Sequence, residues 1–112
     1  MDRFDVLRDL VTFNGSVDTL SSNLSKFDWD YEGQAFVVTV SQVRNVLERF
    51  LAGEYSAGEM EEWANLIECR EDLEFEEQHH DEIENAIYCL ANPVLQREIT
   101  VDSCKELLTT LV

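Results

Sequence analysis

Apolar residues recur at three- and four-residue steps through most of this 112-residue chain, and nearly every such stretch is bracketed by residues that start or stop a helix. That spacing narrows the options sharply, because only a helix gathers those positions onto one continuous face. The clearest case begins at Ser56-Ala57-Gly58-Glu59. Serine at the cap and glutamate three residues on form a capping box, in which each side chain covers a backbone N–H that the first helical turn leaves without a partner. Met60, Trp63, Ala64 and Ile67 follow as the inward face.

The same grammar repeats on either side. Phe4, Leu7, Leu10 and Val11 make one stripe, ended at Asn14-Gly15, and Ser16 is the expected N-cap for Val17, Leu20, Leu24 and Phe27. Ser41 is the expected cap for Val43, Val46, Leu47, Phe50 and Leu51, which stop at Gly53. Ile83, Ala86, Ile87 and Leu90 form a stripe that ends at Asn92-Pro93, since proline cannot continue a helix. Thr100 then caps Val101, Cys104, Leu107, Leu108 and Leu111. Residues 28–40 break the pattern: Trp29/Tyr31 and Phe36/Val38/Val40 alternate about an acidic, glycine-containing turn, which reads as a short hairpin or an extended connector. The expectation is an all-α fold, a compact bundle of about five or six short helices with a hairpin at 28–40 at most, in one domain over residues 1–112.

Charge is the second constraint, and it is local. The net charge is −16. Residues 1–53 hold eight acids against five bases and residues 85–112 three against two, whereas residues 54–84 hold thirteen acids against Arg70 alone. Folding does not call for this, because compaction brings like charges together. A solvated helix face is the ordinary explanation of a charge run, but such faces usually mix signs to gain Glu–Lys pairs. Here the run also encloses Leu73 and Phe75, apolar groups that can anchor a contact ringed by charge. Direct binding to nucleic acid or to an anionic membrane needs a basic patch and is not expected. A cationic protein partner is.

Other chemistry finds little to stand on. Cys69, Cys89 and Cys104 show neither a disulfide framework nor zinc spacing, and Cys89 and Cys104 fall on apolar helix faces. The first ten residues, MDRFDVLRDL, carry charge throughout and do not resemble a signal peptide, and no apolar run approaches the roughly 18 residues of a membrane span, so a cytoplasmic location is expected. Glu77 and His80 have the Glu-x-x-His spacing of carboxylate-bridged metal bundles, but the only histidines are His79 and His80, which forbids the second copy such a site needs. A mononuclear site from His80 and Glu84 stays open beside the plainer reading of polar residues at a helix start, where Asp81, Glu82 and Glu84 suit the helix dipole. No phosphate loop or nucleophile signature is present, so neither an enzyme nor a cofactor is expected. Trp63 and Phe50 belong with the core by their spacing. Trp29 and Tyr31, set between acids, either pack over the bundle or join an interface.

Two stretches carry a resemblance: VTVSQVRNVLERFLAGEYSAGEMEEWANLIECREDLEFE (38–76) and AIYCLANPVLQREITVDSCKELLTTL (86–111). With RFLAGE before a serine-initiated helix, EWANLIECREDLEFE, and LANPVLQREIT, they resemble the small bacterial immunity proteins that accompany contact-dependent growth inhibition toxins, similar to the colicin D immunity protein family of bacteriocin immunity. The likeness covers about 60% of the chain and excludes the first 37 residues. It implies a helical cytoplasmic protein that binds and neutralises one cognate antibacterial toxin domain, commonly a C-terminal nuclease domain that cleaves transfer RNA in a basic cleft.

The charge pattern and the resemblance converge on a nuclease inhibitor that occludes a basic cleft by protein–protein interaction. The expected toxin-binding residues are Glu61, Glu62, Glu68, Glu71, Asp72, Leu73, Glu74, Phe75, Glu76 and Glu77, with Leu73 or Phe75 as the anchor. The alternatives are an acidic adaptor or nucleic-acid-mimicking inhibitor of another basic protein, and a metal-dependent enzyme.

Overall fold

The computed structural model describes residues 2–27, 33–68 and 70–111. Among these residues six helices carry the architecture: α1 (Arg3–Val11), α2 (Val17–Leu24), α3 (Val40–Leu51), α4 (Ala57–Ile67), α5 (His80–Ala91) and α6 (Val101–Thr110). They are joined by two three-residue strands, β1 (Phe36–Val38) and β2 (Leu73–Phe75), and by one 3-10 turn, Glu77–His79. The protein is therefore mostly helical but not purely so.

Most helix starts follow from local chemistry. The Ser56 hydroxyl accepts from the Glu59 N–H at 3.1 Å while the Glu59 carboxylate accepts from the Ser56 N–H at 2.9 Å, the full capping box. Ser16 caps α2 through the Thr19 N–H, and Thr100 and Ser103 cap each other at the start of α6. The cap of α3 lies two residues before the expected Ser41: it is Thr39, because Gln42 stands three residues on and closes a second capping box. Substituting Ser56 with alanine is expected to lower stability by about 0.5–2 kcal/mol with helix content retained. Urea unfolding followed by circular dichroism checks this, and an unchanged midpoint would mean that the cap contributes nothing.

The short hairpin or extended connector expected at 28–40 lies partly outside the described residues, and the part within them pairs elsewhere. Residues 28–32, with Trp29 and Tyr31, lie outside the described residues, and β1 pairs in parallel with β2 in the register Phe36↔Leu73, Val37↔Glu74 and Val38↔Phe75. Backbone bonds from Phe36 N–H to the Asp72 carbonyl and from Glu76 N–H to the Val38 carbonyl, both 2.9 Å, close the ends of this ladder. Parallel strands need a crossover connection, supplied here by α3 and α4. Phe36, Val38, Leu73 and Phe75 turn toward the bundle, while Val37 and Glu74 face outward.

All six helices contribute to one buried cluster, together with Phe13, Val38, Ile99 and Leu111. Its centre is aromatic. Phe13 adopts a left-handed backbone (φ 53°), which costs an L-residue energy. It is held by its neighbours: its ring stacks on Tyr55 at 4.0 Å and on Trp63 at 5.8 Å between centroids. The Trp63 indole N–H donates to the Leu10 carbonyl at 2.6 Å, Arg49 to the Thr12 carbonyl at 2.9 Å and the Tyr55 hydroxyl to the Phe13 carbonyl at 3.1 Å. Three donors from α3, α4 and the loop between them thus fasten the end of α1. At the other end of the bundle Arg44 donates to the carbonyls of Leu108 and Leu111, satisfying the end of α6.

Several stripe residues sit further out than their spacing implies: Val101 is exposed, and Val17, Phe27, Leu51, Leu107 and Leu108 are half-buried around the core. Phe4 is partly exposed and meets Phe36 edge-on, with centroids 5.8 Å apart. Phe50 is half-buried at the rim of the core. Cys104 is fully buried, and desolvation pushes its thiol up to about 11, with a Ser103 hydrogen bond pulling the other way. Cys89 is half-buried, and Cys69 lies outside the described residues.

Candidate functional site

The acidic segment wraps α4, β2, the 3-10 turn and the start of α5, and these elements sort its carboxylates into distinct roles. Glu62 projects from α4, opposite the buried Met60, Trp63 and Ile67, and Glu61 beside it is half-buried. Glu71 is exposed in the turn before β2, Glu74 on the outward face of that strand and Glu77 at the first position of the 3-10 turn. None of these five forms an ion pair among the described residues.

Others in the expected set work within the fold. Glu68 ends α4 and accepts from the Asn92 amide at 3.0 Å, tying α4 to the end of α5. Glu76 is half-buried and accepts from the Val40 N–H at 3.3 Å, which places a carboxylate at the positive end of α3. Leu73 and Phe75 pack half-buried against the core, and the Phe75 ring lies 5.6 Å from that of His80.

Asp72 does not belong to the outward surface. It is only 2% exposed and is gripped from two sides. Arg70 binds it through Nε at 2.8 Å and a terminal nitrogen at 2.9 Å, and Arg3 of α1 reaches it at 2.9 Å. Both arginines are themselves largely covered. A carboxylate held in this way cannot be offered to a partner, so Asp72 leaves the expected contact set and becomes a staple between α1 and β2.

This pairing sharpens the electrostatics of what remains. Arg70, the one base within residues 54–84, is turned inward onto Asp72. Among the described residues of the exposed side, the His80 ring stands beside two carboxylates, with Nδ1 3.5 Å from both Asp81 and Glu84. His80 and Glu84 are thus neighbours, but among the described residues no group of three or more histidines, cysteines or carboxylates is placed to hold a metal ion. Nor is any described helix long and apolar enough to cross a membrane.

One feature was not legible from the charge run. Beside β2 a cavity of about 370 Å³ opens toward α5, lined by Glu68, Phe75, Glu84, Ile87 and Tyr88. Tyr88 is 42% exposed and stands outside the Ile83/Ala86/Ile87/Leu90 stripe. Its place off that face, one turn after Glu84, was the available signal. No protein-family model, curated protein or solved structure matches this chain.

Proposed function

We propose that this chain is an immunity protein that acts in the cytoplasm, binding the C-terminal domain of one cognate antibacterial toxin and neutralising it without catalysis. The toxin is a nuclease of the transfer-RNA-cleaving kind, and the acidic face occludes its basic cleft. The observation that carries this reading is the disposition of charge: the segment's single arginine is spent on a buried aspartate, while Glu62, Glu71, Glu74 and Glu77 stand exposed without ion pairs among the described residues. A surface left so uniformly anionic suits a cleft shaped for phosphates, because carboxylates can stand where phosphates would sit. The resemblance to contact-dependent growth inhibition immunity proteins supports the same partner.

The mechanism is steering followed by occlusion. Complementary fields can raise association to about 10⁸–10⁹ M⁻¹s⁻¹ at low salt. Binding should therefore slow as the Debye length shrinks from about 30 Å at 0.01 M to about 8 Å at 0.15 M ionic strength. The test is co-purification with the product of the adjacent toxin gene, then a nuclease assay with and without this protein. Charge reversal at Glu71, Glu74 and Glu77 separates the roles: a rim charge alters mainly the on-rate, whereas a carboxylate in a buried hydrogen-bonded pair costs about 2–5 kcal/mol of affinity. If all three reversals leave on-rate, affinity and protection of cells unchanged, the acidic face is merely solvated. Binding to a basic protein other than a toxin would point instead to an adaptor or a nucleic-acid-mimicking inhibitor.

A further inference from the structure

The groove between β2 and α5 combines two features that the rest of the acidic face keeps apart. Its walls are apolar and aromatic, from Phe75, Ile87 and Tyr88, and its rim carries the carboxylates of Glu68 and Glu84. Two larger cavities are lined differently: the one of about 500 Å³ between α5 and α6 has Arg97 and its ion-pair partner Glu106 in its wall, and the one of about 430 Å³ between α2 and α4 has Arg70 and no carboxylate. Of these three cavities, the groove at Phe75 is the one that pairs carboxylates with aromatic rings and has no Lys, Arg or His in its lining.

We infer that this groove receives an arginine side chain from a basic protein partner, the alkyl stem lying on Ile87 and Phe75 and the guanidinium meeting Tyr88 and the two rim carboxylates. Charge complementarity selects the occupant. An apolar side chain entering here would strip water from Glu68 and Glu84 without replacing it. An anionic one would be repelled by both, and by Asp81 and the outward glutamates nearby. Arginine matches each wall: its stem is apolar, its planar guanidinium stacks on an aromatic face, and its fork of donors suits carboxylates. Glu68 is held in place for this by Asn92, and Glu84 by its neighbour His80. The volume is large for one side chain, leaving room for the backbone that presents it.

The inference rests on the reading of the acidic face as a docking surface and specifies what the partner inserts. It is tested without any toxin. The full-length ¹⁵N-labelled protein is titrated at low salt with the capped tripeptide acetyl-Gly-Arg-Gly-amide, and in parallel with the same peptide carrying citrulline, which keeps the shape of arginine but not its charge. The expected result is saturable shifts centred on the amides of Glu68, Phe75, Glu84 and Tyr88 with the arginine peptide, and at least about tenfold weaker binding of the citrulline peptide. Tyr88→Ala should weaken the arginine peptide about two- to fivefold, the range of an exposed cation–π contact. Glu84→Gln, on an exposed side chain that the fold does not need, should weaken it similarly, and Asp102→Asn on α6 should not. Equal binding of the two peptides, or shifts scattered evenly over all the acidic residues, would overturn the inference. Failure here leaves the nuclease assay standing; peptide binding with no toxin neutralisation removes the immunity reading and keeps the arginine site.

Discussion

Replacing Asp72 with alanine is expected to cost about 3–5 kcal/mol of folding stability, among the largest effects available to a single substitution in this chain. The reason is asymmetry. A buried ion pair contributes little net stability when it is intact, because desolvation offsets attraction, but removing one member strands the other. Here removal would take away the buried carboxylate that the guanidiniums of Arg3 and Arg70 both bind in a covered site. Arg3→Gln should cost less, because Arg70 keeps its two bonds to Asp72. Guanidinium chloride unfolding of the three proteins gives the comparison. An alanine variant within about 1 kcal/mol of wild type would mean that Asp72 is solvated after all. In a screen of acidic residues for loss of toxin binding, Asp72 would score as a false contact: its variants would fail through folding.

Trp63→Ala is expected to cost a similar amount, about 3–5 kcal/mol, from lost burial and the cavity left behind. Its ring is wholly buried and stacks on Phe13, the residue whose left-handed backbone needs support. Trp63→Phe separates the contributions. It keeps most of the aromatic surface but loses the indole N–H bond to Leu10, a contribution of about 1 kcal/mol. The Leu10 carbonyl would not be orphaned, because it also accepts from the Phe13 N–H. A typical domain is stable by about 5–15 kcal/mol in all, so the alanine variant should be near the edge of folding and the phenylalanine variant well within it. Equal losses in the two would show that the hydrogen bond, and not the ring, is what matters.

What the sequence disclosed was whatever depends on near neighbours. Ser16, Ser56 and Thr100 announce their helices because a cap and its partner lie three residues apart. The same rule, applied to Gln42, would have preferred Thr39 over Ser41. What stayed hidden depends on distant pairs. The partner of β1 lies 37 residues further along the chain, beyond two helices, so the alternation of Leu73 and Phe75 looked like an interruption in a charge run. Nothing adjacent sets Asp72 apart from Glu71 or Glu74, although Arg70 two residues earlier was half of the answer; the other half is Arg3. Exposure of Glu62 followed from its place off the Met60/Trp63/Ile67 stripe, whereas that of Glu74 depends on the strand that the sequence did not announce. The arginine groove was not legible either, since it joins the end of α4, β2 and α5, which meet only once the bundle is assembled.

The staple on Asp72 also dictates a timetable. A ribosome releases the N-terminal end first, so Arg3 emerges long before the residue that will hold it, 69 positions later. At about 5–20 residues per second, that interval is roughly 3–14 s of synthesis. Throughout it β1 lacks its partner strand as well, and Leu7, Leu10 and Val11 have no Trp63 to close over them until α4 is out. A nascent chain halted before residue 72 can form the first helices but neither the sheet nor the ionic clamp. The acidic stretch, which arrives late, therefore carries both the strand and the aspartate that tie down the N-terminal helices, before α5 and α6 complete the core.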